Sequence, residues 1–485
     1  MPYTELRNSY LRERTFIMTY SPITPEVKDK LISLLGRENV ITDTEKMQPY
    51  AHDEVTDPAY HHLPEVVVTP ETTEQTAAVV RLANQYRFPV VPRGAGTGLA
   101  CGAVPIYGGL VLSLEKMNHI LEINDTAMYA VVEAGVRTAD LQEAAMKHNL
   151  FYAGDPCSGD SCQIGGNIAT NAGGNKAVKY GTTRHQIYDI TVVNPLGEIV
   201  RLGTRLKKQS TGYMLDGLII GSEGTLGIIT NATVKLLPLL PYKVDILAVF
   251  ETAETAINAV SDILRNNLTP TCIEFMDTAT LHSVEKFLNM SLPGSNGNHL
   301  IIEIEGETED DVDDKTVRLD ELCTKHGAVD VLVADSKRIW KARKAFAEAV
   351  RAETLIVCKE DIVVPVHKEP ELLTFIAAQS AKYSLITRIA AHAGDGNIHL
   401  NILKNDNLSY EEWKSRTDRN QQELYSFVYS VGGRLSGEHG IGYKRRDLME
   451  EFTDPVELSM MRAVKKALDP NNILNPGKIF TLPTP

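Results

Sequence analysis

The sequence predicts an α+β protein in three parts: a β-rich N-terminal domain, a middle α+β domain and a C-terminal return segment. Three observations carry this. From about residue 124 to 237, short β-rich runs such as "MYAVVEAGV", "YDITVVNPLGEIV" and "LGIITNATVKLLP" are separated by glycine-rich loops. The prolines of "LLPLLPYK" then punctuate the chain. Beyond them, to about residue 430, strand-like runs ("DILAVF", "LIIEIEG", "VDVLVA") alternate with helical ones ("ETAINAVSDILRNN", "VDDKTVRLDELCTKHG"). The expected boundaries are 1–241 (core about 60–241), 242–430 and 431–485.

Taken in order, "TPEVKDKLISLLG" is a helix opened by Thr24-Pro25 and closed by Gly36. "PEVVVTPETTEQTAAVVRLANQYRFPVVPRGAGTG" reads as strand, helix, strand and glycine-rich loop, and "NPLGE" as a hairpin-like turn. The C-terminal segment holds a helix, "PVELSMMRAVKKALDP", and a Pro/Gly-rich tail, "NNILNPGKIF". No internal repeat or low-complexity tract is present.

Composition narrows the function. The 485 residues are 43% hydrophobic and 23% charged, as in a soluble multidomain protein. A formal charge of −14 with no Lys/Arg-rich run argues against a nucleic-acid binder, and no apolar stretch is long enough for a membrane span. The N-terminal "MPYTELRNSYLRERTFIM" lacks the apolar core of a secretory signal; its three arginines hint at a transit peptide, against which Glu5 and Glu13 stand. An unstructured extension, or a start at Met18 rather than Met1, explains it as well. Six cysteines without a C-x-x-C pair suggest reduced thiols and a cytoplasmic location.

"RGAGTGLACG" nearly matches a dinucleotide fingerprint, but that motif must open a helix. Here "GAVPIYGGLVLSL" follows, where Pro105, Gly108 and Gly109 forbid one. The nicotinamide-binding reading therefore fails, leaving a loop whose backbone N–H groups can wrap a pyrophosphate. Further glycine clusters lie in "SCQIGGNIATNAGGNKAVKYG" and "GSEGTLGIIT". Three such loops in one β-rich domain exceed what turns alone require.

"TRIAAHAGDGNIHLNIL" reads as two strands joined by a Gly-Asp-Gly-Asn reversal, which brings His392 and His399 close. Such imidazoles serve either as hydrogen-bonded core residues or as ligands. With Glu438 and His439 of "SGEHGIG", they suggest an open catalytic metal site rather than a closed structural one.

"PRGAGTG", "IGGNIATNAGG", "GSEGTLGIIT", "HAGDGNIHLN", "SGEHGIG" and "NPGKIF" occur in this order in the FAD-linked oxidases of the vanillyl-alcohol oxidase type, and the chain resembles that family over about residues 40–480. Within it, the chain is similar to the D-2-hydroxyacid dehydrogenase branch, which contains D-lactate dehydrogenase, D-2-hydroxyglutarate dehydrogenase and the catalytic subunit of glycolate oxidase. The resemblance implies an FAD-binding domain of two α+β subdomains, an α+β substrate (cap) domain and a C-terminal segment returning to the FAD domain. It implies that Arg93, Gly94, Ala95, Gly96, Thr97 and Gly98 surround the pyrophosphate. Asp155, Pro156, Gly165, Gly166, Asn167, Asn171, Gly173, Gly174, Glu223, Gly224, Ile228 and Asn475 are expected along the rest of the cofactor. The first loop has no histidine, and Cys101 has no counterpart among covalent attachment sites, so FAD is expected to be non-covalent.

The same resemblance implies that His392, His399 and Glu438 ligate a divalent ion, with zinc, manganese and ferrous iron all open. His439, beside that site, is then the expected general base for a 2-hydroxy acid, with a pKa near working pH. Arg343, Lys359 and Asn401 match positions that bind the substrate; a solvated helix face and strand end is the plainer alternative for the first two. Where the hydroxyglutarate enzymes place a threonine, this chain has Ala347, which favours a small acid such as D-lactate over 2-hydroxyglutarate, with glycolate as the next reading. The expected redox partner is an electron-transfer flavoprotein or another acceptor subunit; oligomeric state is left open.

Overall fold

In the computed structural model, strand Val66–Val68 leads through helix Thr73–Tyr86 to strand Val90–Arg93, with strand Leu110–Ser113 between the two strands and parallel to both. The described residues are 20–55 and 57–481; the N-terminal stretch with its alternative starts lies outside them. The Val66–Val68 strand is wholly buried, as its unbroken β-branched run demands of a parallel strand covered on both faces. Helix Pro25–Leu35 is capped by the Thr24 side chain and stops at Gly36, whose φ of +88° suits glycine. After the 94–98 loop the chain runs through turns to Leu110–Ser113, and no helix follows the loop.

A second, antiparallel sheet has the order Ile120–Asn124, Tyr129–Glu133, Ile228–Lys235, Ile187–Val193, Ile199–Gly203, the last two forming a hairpin. Each of these two sheets has its own apolar core. The glycine cluster read as loop in "IGGNIATNAGG" is partly helical, over Ile164–Thr170, and a further helix covers Thr138–Met146. Glycine's low helix propensity hides the first of these. Packing requires it: a Cβ on Gly165 would lie 2.6 Å from that of Ala134.

Seven antiparallel strands form the third large sheet, in the order Ala328–Val333, Tyr242–Phe250, Asn298–Gly306, Cys272–Met276, Ile386–His392, Asn397–Leu403, Val357–Val363. One face carries Ile246, Ile273, Ile302, Ile362, Ile398 and Ile402 against helices Ala253–Arg265, Glu309–Lys325, Glu369–Tyr383 and Tyr410–Ser430. Part of the opposite face holds Leu247, Met276, Ile301 and Ala390 under helices Thr278–Leu288, Ser336–Lys344 and Phe346–Glu353. The rest of that face is polar and turns toward the glycine-rich loops. The C-terminal segment does return: Leu474 bridges Val90, and the Asn475 amide donates to the carbonyls of Gly102 and Glu223.

Candidate functional site

Pairing within the hairpin sets His392 opposite Asn397 and Ala390 opposite His399. Side chains alternate along a strand, so both imidazoles leave the same face as diagonal neighbours. Their ring centroids are 5.1 Å apart and nearly perpendicular, at 86°. The reversal needs glycine at 396: φ is +86°, and a Cβ there would sit 2.0 Å from the Val364 carbonyl oxygen.

The neighbouring strand places Glu274 opposite His392. Glu274 Oε1 lies 2.7 Å from His392 Nδ1, and its Oε2 accepts from Arg343 Nε at 2.8 Å. All three side chains are buried. This chain of charges fixes the imidazole with Nδ1 toward the carboxylate and Nε2 turned inward, the orientation a ligating histidine takes from an outer carboxylate.

Two buried carboxylates, one from each side, clamp the loop that carries Glu438 and His439. Asp361, opposite His399 on the sheet, accepts through Oδ2 from Ser436 Oγ (2.6 Å) and from the backbone N–H of Gly437, Glu438 and His439 (3.1, 3.1 and 2.8 Å). Its Oδ1 takes the Asn397 amide at 2.7 Å. Across the seam, Glu223 accepts from the N–H of Ile441 and Gly442 at 2.8 and 2.7 Å. Glu438 Oε1 is thereby held 3.4 Å from His392 Nε2 and 3.3 Å from His399 Nε2.

Those three donors suit a divalent ion. His392 Nε2 is buried and makes no hydrogen bond. Ligand bonds of about 2.1 Å in a tetrahedral array separate donor atoms by about 3.4 Å, close to the separations observed. Burial raises the carboxyl of Glu438 and lowers the imidazole of His392, yet both move the other way, because His392 and His399 hold Glu438 down while Glu274 and Glu438 hold His392 up.

His439 stacks on His399 at 5.1 Å and 15°, with Nε2 3.8 Å from Glu438 Oε1 and Nδ1 3.7 Å from Asp361. Burial, with His399 and Arg445 adding to it against the pull of Asp361 and Glu438, lowers its pKa to about 4. The expectation of a base poised near working pH is corrected: the imidazole is neutral throughout the physiological range.

Gly173 and Gly174 bring the glycine-rich domain against this cluster. A Cβ on Gly173 would lie 2.8 Å from Glu438 Oε2, and one on Gly174 2.0 Å from the Asp155 carbonyl oxygen, where Pro156 also packs. Further along, Gly94 faces Gln163 and Gly166, while a Cβ on Gly166 would meet nothing within 4 Å. Gln163 Oε1, Tyr152 Oη and Ser222 Oγ are buried without partners. A part-exposed loop at Gly94, Ala95, Gly96, Thr97 and Gly98, open space at Gly166 and orphaned polar atoms fit a large polar cofactor such as FAD.

Several expected cofactor residues turn their side chains to protein instead. Arg93 donates to the carbonyls of His52 and Pro49, bracing the loop from beneath. The Asn167 amide donates to Thr138, Asn171 accepts from Thr182 and the Arg184 N–H, and Glu223 and Asn475 are engaged as above. Gly224, with φ +71°, packs on Pro92, and Ile228 opens a buried strand.

Arg343 is 4% exposed and ion-paired, so the solvated-face alternative does not hold for it. Lys359 stands opposite Asn401, on the face that carries His399. Burial, reinforced by Arg351 and Lys444 against the pull of Glu54 and Glu348, lowers Lys359 to about 8. Sequence reasoning missed Glu274 and Asp361. Glu274 is the lone acid of an otherwise apolar strand, "TCIEFM", and Asp361 follows Glu360 in "CKEDIVV" with the two pointing to opposite faces, a signal that marks them as candidates without giving their partners.

A glycine-lined cradle ending at a buried His/Glu cluster defines a flavoprotein oxidoreductase site. Residues 64–203 match the family model for an FAD binding domain, and residues 240–479 that for the FAD linked oxidases, C-terminal domain. A D-lactate dehydrogenase from Anaerostipes hadrus is 39% identical over 95% of this chain and 98% of its own. The glycolate oxidase subunit GlcD of Bacillus subtilis is 36% identical over 94% and 97%. A p-cresol methylhydroxylase structure with substrate bound superposes with a TM-score of 0.78 over 95% of this chain and 97% of its own, at 20% identity, so the fold is of that type. The chain belongs to the FAD-linked oxidases.

Proposed function

We propose that the protein is an FAD- and metal-dependent dehydrogenase that oxidises a small D-2-hydroxy acid, D-lactate first, to the 2-oxo acid. The observation that carries this is the convergence of His392 Nε2, His399 Nε2 and Glu438 Oε1 at the edge of the flavin cradle, with neutral His439 beside them. The relatives named for D-lactate and for glycolate support the substrate class, and glycolate is the second reading.

Within this reading His392, His399 and Glu438 hold the ion, which when bound supplies a Lewis acid that makes a coordinated hydroxyl acidic enough for a histidine to deprotonate. The glycine loops would hold the FAD, which when bound supplies the hydride acceptor. His439 takes the hydroxyl proton, which its neutral state allows. Arg343, Lys359 and Asn401 receive the anionic substrate and orient its C2 hydrogen. Gly173 lets Glu438 approach the cradle closely, which shortens the path between the two halves of the site. An electron-transfer flavoprotein or an acceptor subunit removes the electrons; the word "subunit" in the name of the glycolate-oxidase relative is consistent with such a partner.

Anaerobic flavin bleaching with D- and L-lactate, glycolate, D-2-hydroxyglutarate and D-malate, with and without chelator, tests the reading. Rapid, chelator-sensitive bleaching by D-lactate is expected; no bleaching by any of these acids, with flavin and metal present, removes the substrate class. His392→Ala should strip the metal while leaving FAD bound, and a variant retaining stoichiometric metal refutes the ligand set. Lys359 gives a pH signature. Its ammonium is charged below about 8, so KM for the acid should rise as pH climbs through that value. Lys359→Gln should raise KM about 10- to 100-fold at pH 7, as loss of a charge-assisted hydrogen bond does, and flatten that dependence. An unchanged KM profile in the variant assigns the binding elsewhere.

A further inference from the structure

The short helix Ala177–Tyr180 follows closely on Gly173 and Gly174, the glycines that bring the glycine-rich domain against Glu438. It lies on the sheet that carries the histidine hairpin. Val178 packs on Gly394, where a Cβ would come within 2.8 Å of its Cγ2. Lys179 Nζ donates to Glu305 Oε1 at 2.8 Å, the Tyr180 hydroxyl donates to the same oxygen, and Lys176 Nζ stands 3.9 Å from Glu303 Oε1. Strand pairing sets Glu303 opposite Cys272 and Asp245, and Ile301 opposite Glu274. Glu303 and Glu305 therefore share the polar face of Glu274 and His392. This end of the face carries Asp245, Glu303 and Glu305 beside Lys243, which donates to Glu303 Oε2 at 3.0 Å. Glu303 Oε1 is buried without a hydrogen-bond partner. Buried carboxylates need counter-charges, and here the flavin-side segment brings Lys176 and Lys179. Burial raises the Glu305 carboxyl, but Lys179, Tyr180 and Lys176 outweigh it and keep the group ionised.

We infer that Lys179 and Glu305 are a pair of positioning residues: they latch the flavin-side loop onto the polar face of the sheet and so set the spacing between the cradle and the His392–His399–Glu438 cluster. The inference rests on the proposed function, because that spacing is what hydride transfer from a bound hydroxy acid requires. The pair acts at a remove from the chemistry. Lys179 holds the segment that begins at Gly173, which abuts Glu438, and Glu305 stands on the strand beside that of Glu274. A misplacement of about 1 Å at a reacting centre is enough to cost about 10²-fold in rate, even when its cause lies far from the chemistry.

The test compares the parent holoenzyme with Glu305→Gln and with the charge exchange Lys179→Glu/Glu305→Lys. Expected in Glu305→Gln are parent levels of FAD and metal, an unchanged dissociation constant for D-lactate, and a limiting rate of anaerobic flavin reduction about 10- to 100-fold lower. Trypsin cleavage of the native protein after Lys176, read by peptide mass spectrometry, should quicken about 10- to 100-fold, because losing a charge-assisted hydrogen bond populates the open seam by that factor. The exchange should bring both rates back toward those of the parent. An unchanged limiting rate alongside faster cleavage shows a seam that only adheres, and overturns the inference while leaving the proposed function standing. A slow variant whose cleavage is unchanged, or whose exchange restores nothing, also overturns it, as does loss of FAD or metal in Glu305→Gln. Faster cleavage that the exchange reverses, in a protein that no hydroxy acid bleaches, upholds the latch and overturns the proposed function instead.

Discussion

His439→Ala is expected to retain FAD and metal while anaerobic flavin reduction by D-lactate slows about 10²- to 10⁴-fold, the usual contribution of a positioned general base. Retention follows from how the loop is held. The backbone N–H groups of residues 437–439 bind Asp361, and those of Ile441 and Gly442 bind Glu223, so truncating the imidazole removes none of these bonds. The ring lies beside His399, Glu438 and Asp361, with its nitrogens at distances from the two carboxylates too long for strong hydrogen bonds. His439→Gln sharpens the result, since an amide oxygen accepts a hydrogen bond but takes no proton; it should be as slow as the alanine variant. Stopped-flow bleaching with parallel flavin and metal analysis reads all of this. Near-normal reduction in either variant would place the base elsewhere.

Asp361→Ala should be more damaging to the protein as a whole. It leaves three backbone N–H groups and the Ser436 hydroxyl without their acceptor around a carboxylate that is itself fully buried, and the Asn397 amide with only the Ile362 carbonyl. Breaking a buried charged network in this way costs about 3–5 kcal/mol. The loop should loosen, Glu438 should leave His392 and His399, and metal should be lost together with a lower unfolding temperature. Asp361→Asn keeps one acceptor oxygen and should be the milder variant. Burial alone would raise the Asp361 pKa, but His439, His399 and Arg445 hold it low. Its contribution to stability is therefore complete at neutral pH and is lost only as the pH falls below the ordinary carboxylate range. Calorimetry across acid pH and metal analysis check both statements; full metal content and an unchanged unfolding temperature in Asp361→Ala would show that the loop is held by other contacts.

Much of this was legible in the chain. The Gly-Asp-Gly-Asn reversal with strands on either side placed two histidines on one face, because turn chemistry and period-two alternation are local rules. Pro105, Gly108 and Gly109 excluded a helix after the first glycine loop for equally local reasons. The helix at Ile164–Thr170 was not legible, since its glycines are selected by the closeness of Ala134 and not by propensity. The neutral state of His439 was hidden too, because it depends on burial and on Arg445 and His399 arriving from other segments.

The sequence by itself determined the glycine-rich loops, the histidine hairpin and the Glu438–His439 loop, because each is encoded within a few neighbouring residues. Only the tertiary structure decided which charges meet. Glu274 is separated by 118 residues from His392 and by 69 from Arg343, and Glu223 by 218 from Ile441. A lone acid in a strand carries no local mark of its partner. Its role follows from burial, where an unpaired carboxylate is too costly to keep and the fold must bring it a counter-charge.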